Sequence, residues 1–145
     1  MELTKQQIEN LILQLKSDFF TNEVYYLGCE RFVVRNGITD ERDVKRNVYR
    51  DRLFNEQGVE ISLEDEFNAI TMFRLNVAVV KKIYFLEDSL SRNSKVGLID
   101  KNGILLLPCI YDSIRISLTR FLNIQKGDEL REFLLDDIIL GKFNW

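Results

Sequence analysis

Apolar residues near the start of the chain recur at three- and four-residue steps, as Ile8, Leu11, Ile12, Leu15 and Phe19, with Glu9, Asn10, Gln14 and Lys16 between them. That spacing lines one face of a helix and predicts an amphipathic segment over residues 1–22. Thr4-Lys5-Gln6-Gln7 has the form of a capping box, in which the threonine hydroxyl accepts from a first-turn amide and the glutamine reaches back. Asn22 predicts the stop. The pattern then changes to short β-branched and aromatic runs. Val24 to Leu27 and Arg31 to Arg35 predict two strands separated by Gly28, and Asn36-Gly37 predicts a turn. Thr39 to Tyr49 is highly charged, its apolar positions being Val44, Val48 and Tyr49, so the end of the 23–49 segment reads as a short amphipathic helix or an exposed loop.

From residue 50 the chain repeats itself. Arg52-Leu53-Phe54-Asn55-Glu56-Gln57-Gly58-Val59-Glu60-Ile61 aligns without gaps on Gly97-Leu98-Ile99-Asp100-Lys101-Asn102-Gly103-Ile104-Leu105-Leu106, 45 residues later. Phe67-Asn68-Ala69-Ile70 then falls on Tyr111-Asp112-Ser113-Ile114, and Val77 to Lys82 on Phe121 to Lys126, both 44 residues later. In each copy a short polar side chain, Asn55 or Asp100, opens a four-residue turn, and a glycine three residues on, Gly58 or Gly103, supplies the positive φ. This predicts a hairpin with a bulge glycine, covered by Phe67 or Tyr111 as the chain leaves it.

The copies span 50–94 and 95–130. Residues 131–145, opening with Phe133-Leu134-Leu135-Asp136, read as a truncated third copy or a cap. The expected fold is mainly β within an α+β class: an antiparallel hairpin repeat or meander, with the N-terminal helix across one face, in a single domain over 1–145.

Gly97-Leu98-Ile99-Asp100-Lys101-Asn102-Gly103, followed by Pro108, Tyr111-Asp112 and Ile114, resembles the WG repeat of bacterial proteins. The likeness is best over 95–114 and weaker over 50–70. Val96 occupies the place of the family's tryptophan, Arg52 replaces the opening glycine in the first copy, and that copy has no proline. The resemblance implies a hairpin array used as a binding or scaffolding surface, and it implies no catalytic residue.

Composition narrows the chemistry. The 145 residues contain no histidine, which removes imidazole acid/base work, Ser-His-Asp and Cys-His nucleophile systems and His-containing zinc sites. Cys29 and Cys109 are not in a CxxC spacing and read as buried free thiols. A net charge of -3 argues against general nucleic-acid binding, which needs a basic face. There is no apolar run long enough for a membrane span, and the polar opening Met-Glu-Leu-Thr-Lys predicts a cytoplasmic rather than an exported chain.

Two charge groups are candidate partner contacts. On a helix, Arg42, Lys45, Arg46, Tyr49 and Arg50 would share a face suited to phosphate or an acidic partner, although Glu41, Asp43 and Asp51 dilute it into a solvated, ion-paired face. Glu64-Asp65-Glu66 and Asp128-Glu129, with Glu132, Asp136 and Asp137, form acidic clusters that the alignment puts in equivalent parts of the copies. Such clusters can imitate a phosphate backbone or simply keep a loop in water. They lack a cation-binding spacing, so neither a metal nor a cofactor is expected. Asp136 and Asp137 are adjacent, and on a strand they would point to opposite faces, a poor acid/base pair. Phe143 and Trp145 read as a terminus docked on the sheet or as an aromatic anchor for a partner.

The expected function is a non-enzymatic module acting by protein contact, with a bacterial immunity or inhibitor role as its most concrete form. Two alternatives belong to other classes. One is a ligand-binding domain or small enzyme with a Tyr/Arg/carboxylate pocket, and the other a structural module that self-associates through sheet edges.

Overall fold

The computed structural model describes residues 2–40, 43–85 and 92–145, with backbone alone for 37–40, 43–48, 85 and 92. Helix α1 (Lys5–Phe19) carries the expected capping box: the Gln7 amide donates to Thr4 Oγ1 (3.1 Å) and the Thr4 amide to Gln7 Oε1 (2.8 Å). It ends at Phe19, short of Asn22, where Phe20 turns left-handed (φ 52°) and its amide donates to the Lys16 carbonyl.

The strands follow in an order that exposes a longer repeat than the sequence alignment does. β1 (Val24–Tyr26), β2 (Phe32–Asp40), β3 (Asp43–Phe54) and β4 (Glu60–Ile61) form one antiparallel sheet. β5 (Ala69–Ile70), β6 (Val77–Phe85), β7 (Arg92–Asp100) and β8 (Leu105–Tyr111) form a second in the same order. β9 (Ser113–Ile116), β10 (Phe121–Lys126) and β11 (Glu129–Leu134) form a third, three-stranded sheet. The unit of repetition is therefore the whole sheet, beginning near residue 24. The pairs Ala69↔Lys81 and Ile70↔Val80 recur 44 residues later as Ser113↔Gln125 and Ile114↔Ile124.

Three sequence expectations are corrected. Asn36-Gly37 is no turn, because β2 runs straight through it with Asn36 opposite Arg50 and Gly37 opposite Tyr49. The charged stretch from Asp43 onward is neither helix nor loop but part of β3, while Glu41 and Arg42 lie outside the described residues. Charge marks a segment as exposed without choosing its conformation, and here cross-strand pairing with β2 satisfies the backbone. The third copy also departs from the hairpin form. After β11 the chain enters α2 (Leu135–Ile139), with Asp136 and Asp137 in its first turn, so the pair does not sit on a strand.

The two predicted turns are built alike. Asn55 Oδ1 accepts from the amides of Gln57 (2.8 Å) and Val59 (3.1 Å), and Asp100 Oδ1 accepts from those of Asn102 (2.8 Å) and Ile104 (3.0 Å). Gly58 (φ 75°) and Gly103 (φ 82°) occupy the left-handed position that each bulge requires. The copies differ where β8 is long and β4 short. A Cβ at Gly97 would stand 2.4 Å from the Leu107 carbonyl of β8. The equivalent Arg52 has room, and its guanidinium lies 4.6 Å from the Phe19 ring and pairs Glu60.

Packing is serial. The α1 stripe of Ile8, Leu11, Ile12, Leu15 and Phe19 packs on Val24, Phe32, Val34 and Phe54 of the first sheet. The opposite face of that sheet, through Leu27, Val33 and Leu53, joins Phe67, Ile70, Phe73, Ala78, Val80 and Ile99 in the next core. Val77, Val96, Leu98 and Leu107 then share a third core with Tyr111, Ile114, Leu122, Ile124, Leu135 and Ile138. Phe143 and Trp145 close it, with ring centroids 4.7 and 5.8 Å from Phe133.

Deleting residues 1–20 uncovers Val24, Phe32, Val34 and Phe54, and size-exclusion chromatography is expected to show aggregation; a monodisperse, folded truncation would refute the capping role. Gly97→Ala forces β7 and β8 apart and is expected to cost about 2 kcal/mol or more in urea melts.

Candidate functional site

Val33, Arg35 and Gly37 alternate on one face of β2, opposite Leu53, Asp51 and Tyr49 of β3. At Val33 and Leu53 this face is core. Beyond the core it carries a charged pair: Arg35 donates through Nε to Asp51 Oδ1 (2.9 Å) and through Nη2 to Oδ2 (3.1 Å). The Asp51 side chain is fully buried, and its Oδ2 also accepts from the Ile70 amide (2.8 Å), tying the first sheet to the second. Arg35 is raised above its ordinary pKa, first by its hydrogen bond to Asp51. Its guanidinium lies over two rings, 5.4 Å from the Tyr25 centroid and 5.9 Å from that of Tyr49. Both tyrosines are exposed, at 42% and 49%. The result is a Tyr25–Arg35–Tyr49 platform whose central cation is clamped from beneath by a buried carboxylate.

The predicted contact residues are partly gathered around this platform and partly scattered. Arg42 lies outside the described residues, and Arg46 sits in β3 with its side chain undescribed. Tyr49 and Arg50 are neighbours on a strand and point to opposite faces, so the shared helical face does not form. Arg50 instead pairs Glu66 (2.8 Å). Asp65 pairs Lys82 (2.8 Å), and Glu64 Oε2 accepts from the Leu105 amide (3.3 Å). An open cleft of about 580 Å³ between β3 and the 60–66 loop is lined by Arg50, Arg52, Glu60, Asp65 and Glu66, its charges already matched in pairs.

Asp128 lies in the β10–β11 turn and Glu129 opens β11, a different place in the unit from the Glu64–Glu66 loop after β4, so the two acidic clusters are not equivalent. Glu129 pairs Arg131 (2.6 Å), whose guanidinium also lies over the Trp145 ring at 4.7 Å. Asp136 pairs Arg120. The terminal aromatics are thus docked on the third sheet.

Several carboxylates are held in their charged form by cationic partners. Hydrogen bonds from Arg52, Lys82, Lys95 and Arg120 are the leading causes that hold Glu60, Asp65, Asp112 and Asp136 below the ordinary carboxylate range. Such groups stay ionised at neutral pH and are poor proton donors. Burial pushes the Cys109 thiol up to about 11, which leaves little thiolate for nucleophilic work. Both cysteines are free and half-buried, not fully buried. Among the described residues no group of three or more Cys, Asp or Glu could hold a metal ion, and no helix is long and apolar enough to cross a membrane.

Sequence reasoning missed Tyr25, Arg35 and the buried role of Asp51. The repeat alignment does carry a signal for Asp51: it takes the place of Val96 in the second copy, a charge where the repeat has a core residue.

Asp51→Ala strands the partly covered Arg35 cation and the buried Ile70 amide, and is expected to lower unfolding stability by about 3 kcal/mol or more, measured by urea titration. A loss below about 1 kcal/mol would show that the pair is not an anchor.

The chain matches no family model, no curated protein and no solved structure, and the resemblance to the WG repeat gains no support from these comparisons.

Proposed function

We propose that this protein is a non-enzymatic module that acts by direct contact with another protein, in its most concrete form an inhibitor or immunity protein of a bacterial cytoplasm. The observation that carries the reading is the Tyr25–Arg35–Tyr49 platform. Tyrosine and arginine supply large, amphipathic contact area at low entropic cost and dominate the energetics of protein interfaces. Here Asp51 holds Arg35 before any partner arrives, so little side-chain freedom remains to be lost on binding. The neighbouring cleft is open and its charges are mutually paired, which suits the rim of an interface better than a substrate pocket.

The test combines capture from native lysate with the Tyr25→Ala/Tyr49→Ala double variant. The wild-type chain is expected to retain one stoichiometric protein. The variant, with an unchanged melting temperature, is expected to lose about thirtyfold or more in affinity for it, since even one contact residue of this kind is worth roughly 2 kcal/mol. Equal retention by the variant would remove the platform as the contact site. A chain that retains no protein but is thermally stabilised by a small metabolite would replace the reading with a ligand-binding one.

A further inference from the structure

Of the arginines with described side chains, Arg31, Arg35, Arg50, Arg52, Arg120 and Arg131 each pair a carboxylate. Arg74 and Arg115 pair none among the described residues, and both are exposed on one groove of about 480 Å³. The groove lies between the second and third sheets. Its floor is apolar, from Val79, Ile114 and Ile116, and Thr71 and Met72 border it. Met72 is 55% exposed.

At Arg115 the groove runs into a second cleft, across the outward face of the third sheet, where Asn123 and Gln125 present amide side chains and Leu130 an exposed apolar one. The Asn123 side chain is half-buried and has no hydrogen-bond partner among the described residues. Free cations, an apolar floor and an unmet amide thus follow one another along a single strip.

From this strip we infer a binding site for an extended acidic peptide segment of a partner protein. Its carboxylates pair Arg74 and Arg115 with the forked geometry that guanidinium favours. Intervening apolar side chains cover Val79 and Ile116, and its backbone meets the Asn123 amide. A nucleic acid fits less well. The row that starts at Arg115 continues through Asn123 to Glu132, so an unbroken polyphosphate would run toward a carboxylate on a chain of net charge -3. A peptide can space its charges to avoid it. The strip shares no residue with the Tyr25–Arg35–Tyr49 platform, and the inference stands independently of that reading.

The test uses fluorescence anisotropy on the full chain, with a fluorescein-labelled peptide of alternating glutamate and valine and its glutamine-valine counterpart. Saturable binding of the glutamate peptide alone is expected, weakening as ionic strength rises from about 0.05 to 0.3 M. Arg74→Gln and Arg115→Gln are each expected to weaken it about fivefold, and Thr71→Glu to act in the same direction through repulsion. The Tyr25→Ala/Tyr49→Ala protein is expected to bind the peptide as wild type does. The proposal is overturned by absent or non-saturable binding, by affinity indifferent to the arginine variants, or by loss in the tyrosine variant. It is also overturned if single-stranded DNA of equal charge binds more tightly and is lost in the same arginine variants, which would make the strip a nucleic-acid site.

Discussion

Val33 and Val34 are neighbours on β2, and both are fully buried. A strand points successive side chains to opposite faces, so this is possible only where its sheet is covered on both sides. The same holds for Val77 and Ala78 on β6 and for Leu98 and Ile99 on β7. The second sheet lends one face to the first and the other to the third, and no sheet here closes a core by itself. The molecule is accordingly a short stack, and its ends need covers of another kind. Helix α1 covers the first sheet, and α2 with Phe143 and Trp145 closes the core that the second and third sheets share.

That architecture decides where polar chemistry can sit. Inside the stack a charge survives only if fully bonded, as Asp51 is by Arg35 and the Ile70 amide, and as Arg31 is by the Lys101 carbonyl (2.8 Å) and Glu56 (2.8 Å). Both tie the first sheet to the second. At the margins the strands outrun their cores, and the same faces turn outward. The aromatic and cationic side chains of Tyr25, Arg35 and Tyr49 meet on one such extension, and Arg74 and Arg115 meet along the seam between two sheets. Both proposed contact surfaces thus lie where a core face runs out.

The local rules were legible because they act over a few residues. Thr4 and Gln7 make the capping box that their spacing predicts, and Asn55/Gly58 and Asp100/Gly103 make the same turn twice. The helical stripe names the residues that meet the sheet, and Phe67 and Tyr111 are buried as the repeat implies. Reading failed where two conformations share one pattern. Asn36-Gly37 is the commonest kind of turn dipeptide, yet it lies mid-strand, and the charged run after Asp43 pairs with β2. The candidate site was less legible still: Tyr49 and Arg50 were singled out as partners on one face, and the strand sends them to opposite ones.

From the sequence by itself came the mainly β class, the α1 cap, the hairpin chemistry and a period of about 45 residues, because helix caps, bulge turns and alternation depend on neighbours along the chain. The tertiary structure decided the true unit of that repeat, the partner of each charge and the meeting of Tyr25, Arg35, Asp51 and Tyr49. Those depend on cross-strand register and on the stacking of sheets, which bring together residues as far apart as Tyr25 and Tyr49 or Asp51 and Ile70 and which no local pattern encodes.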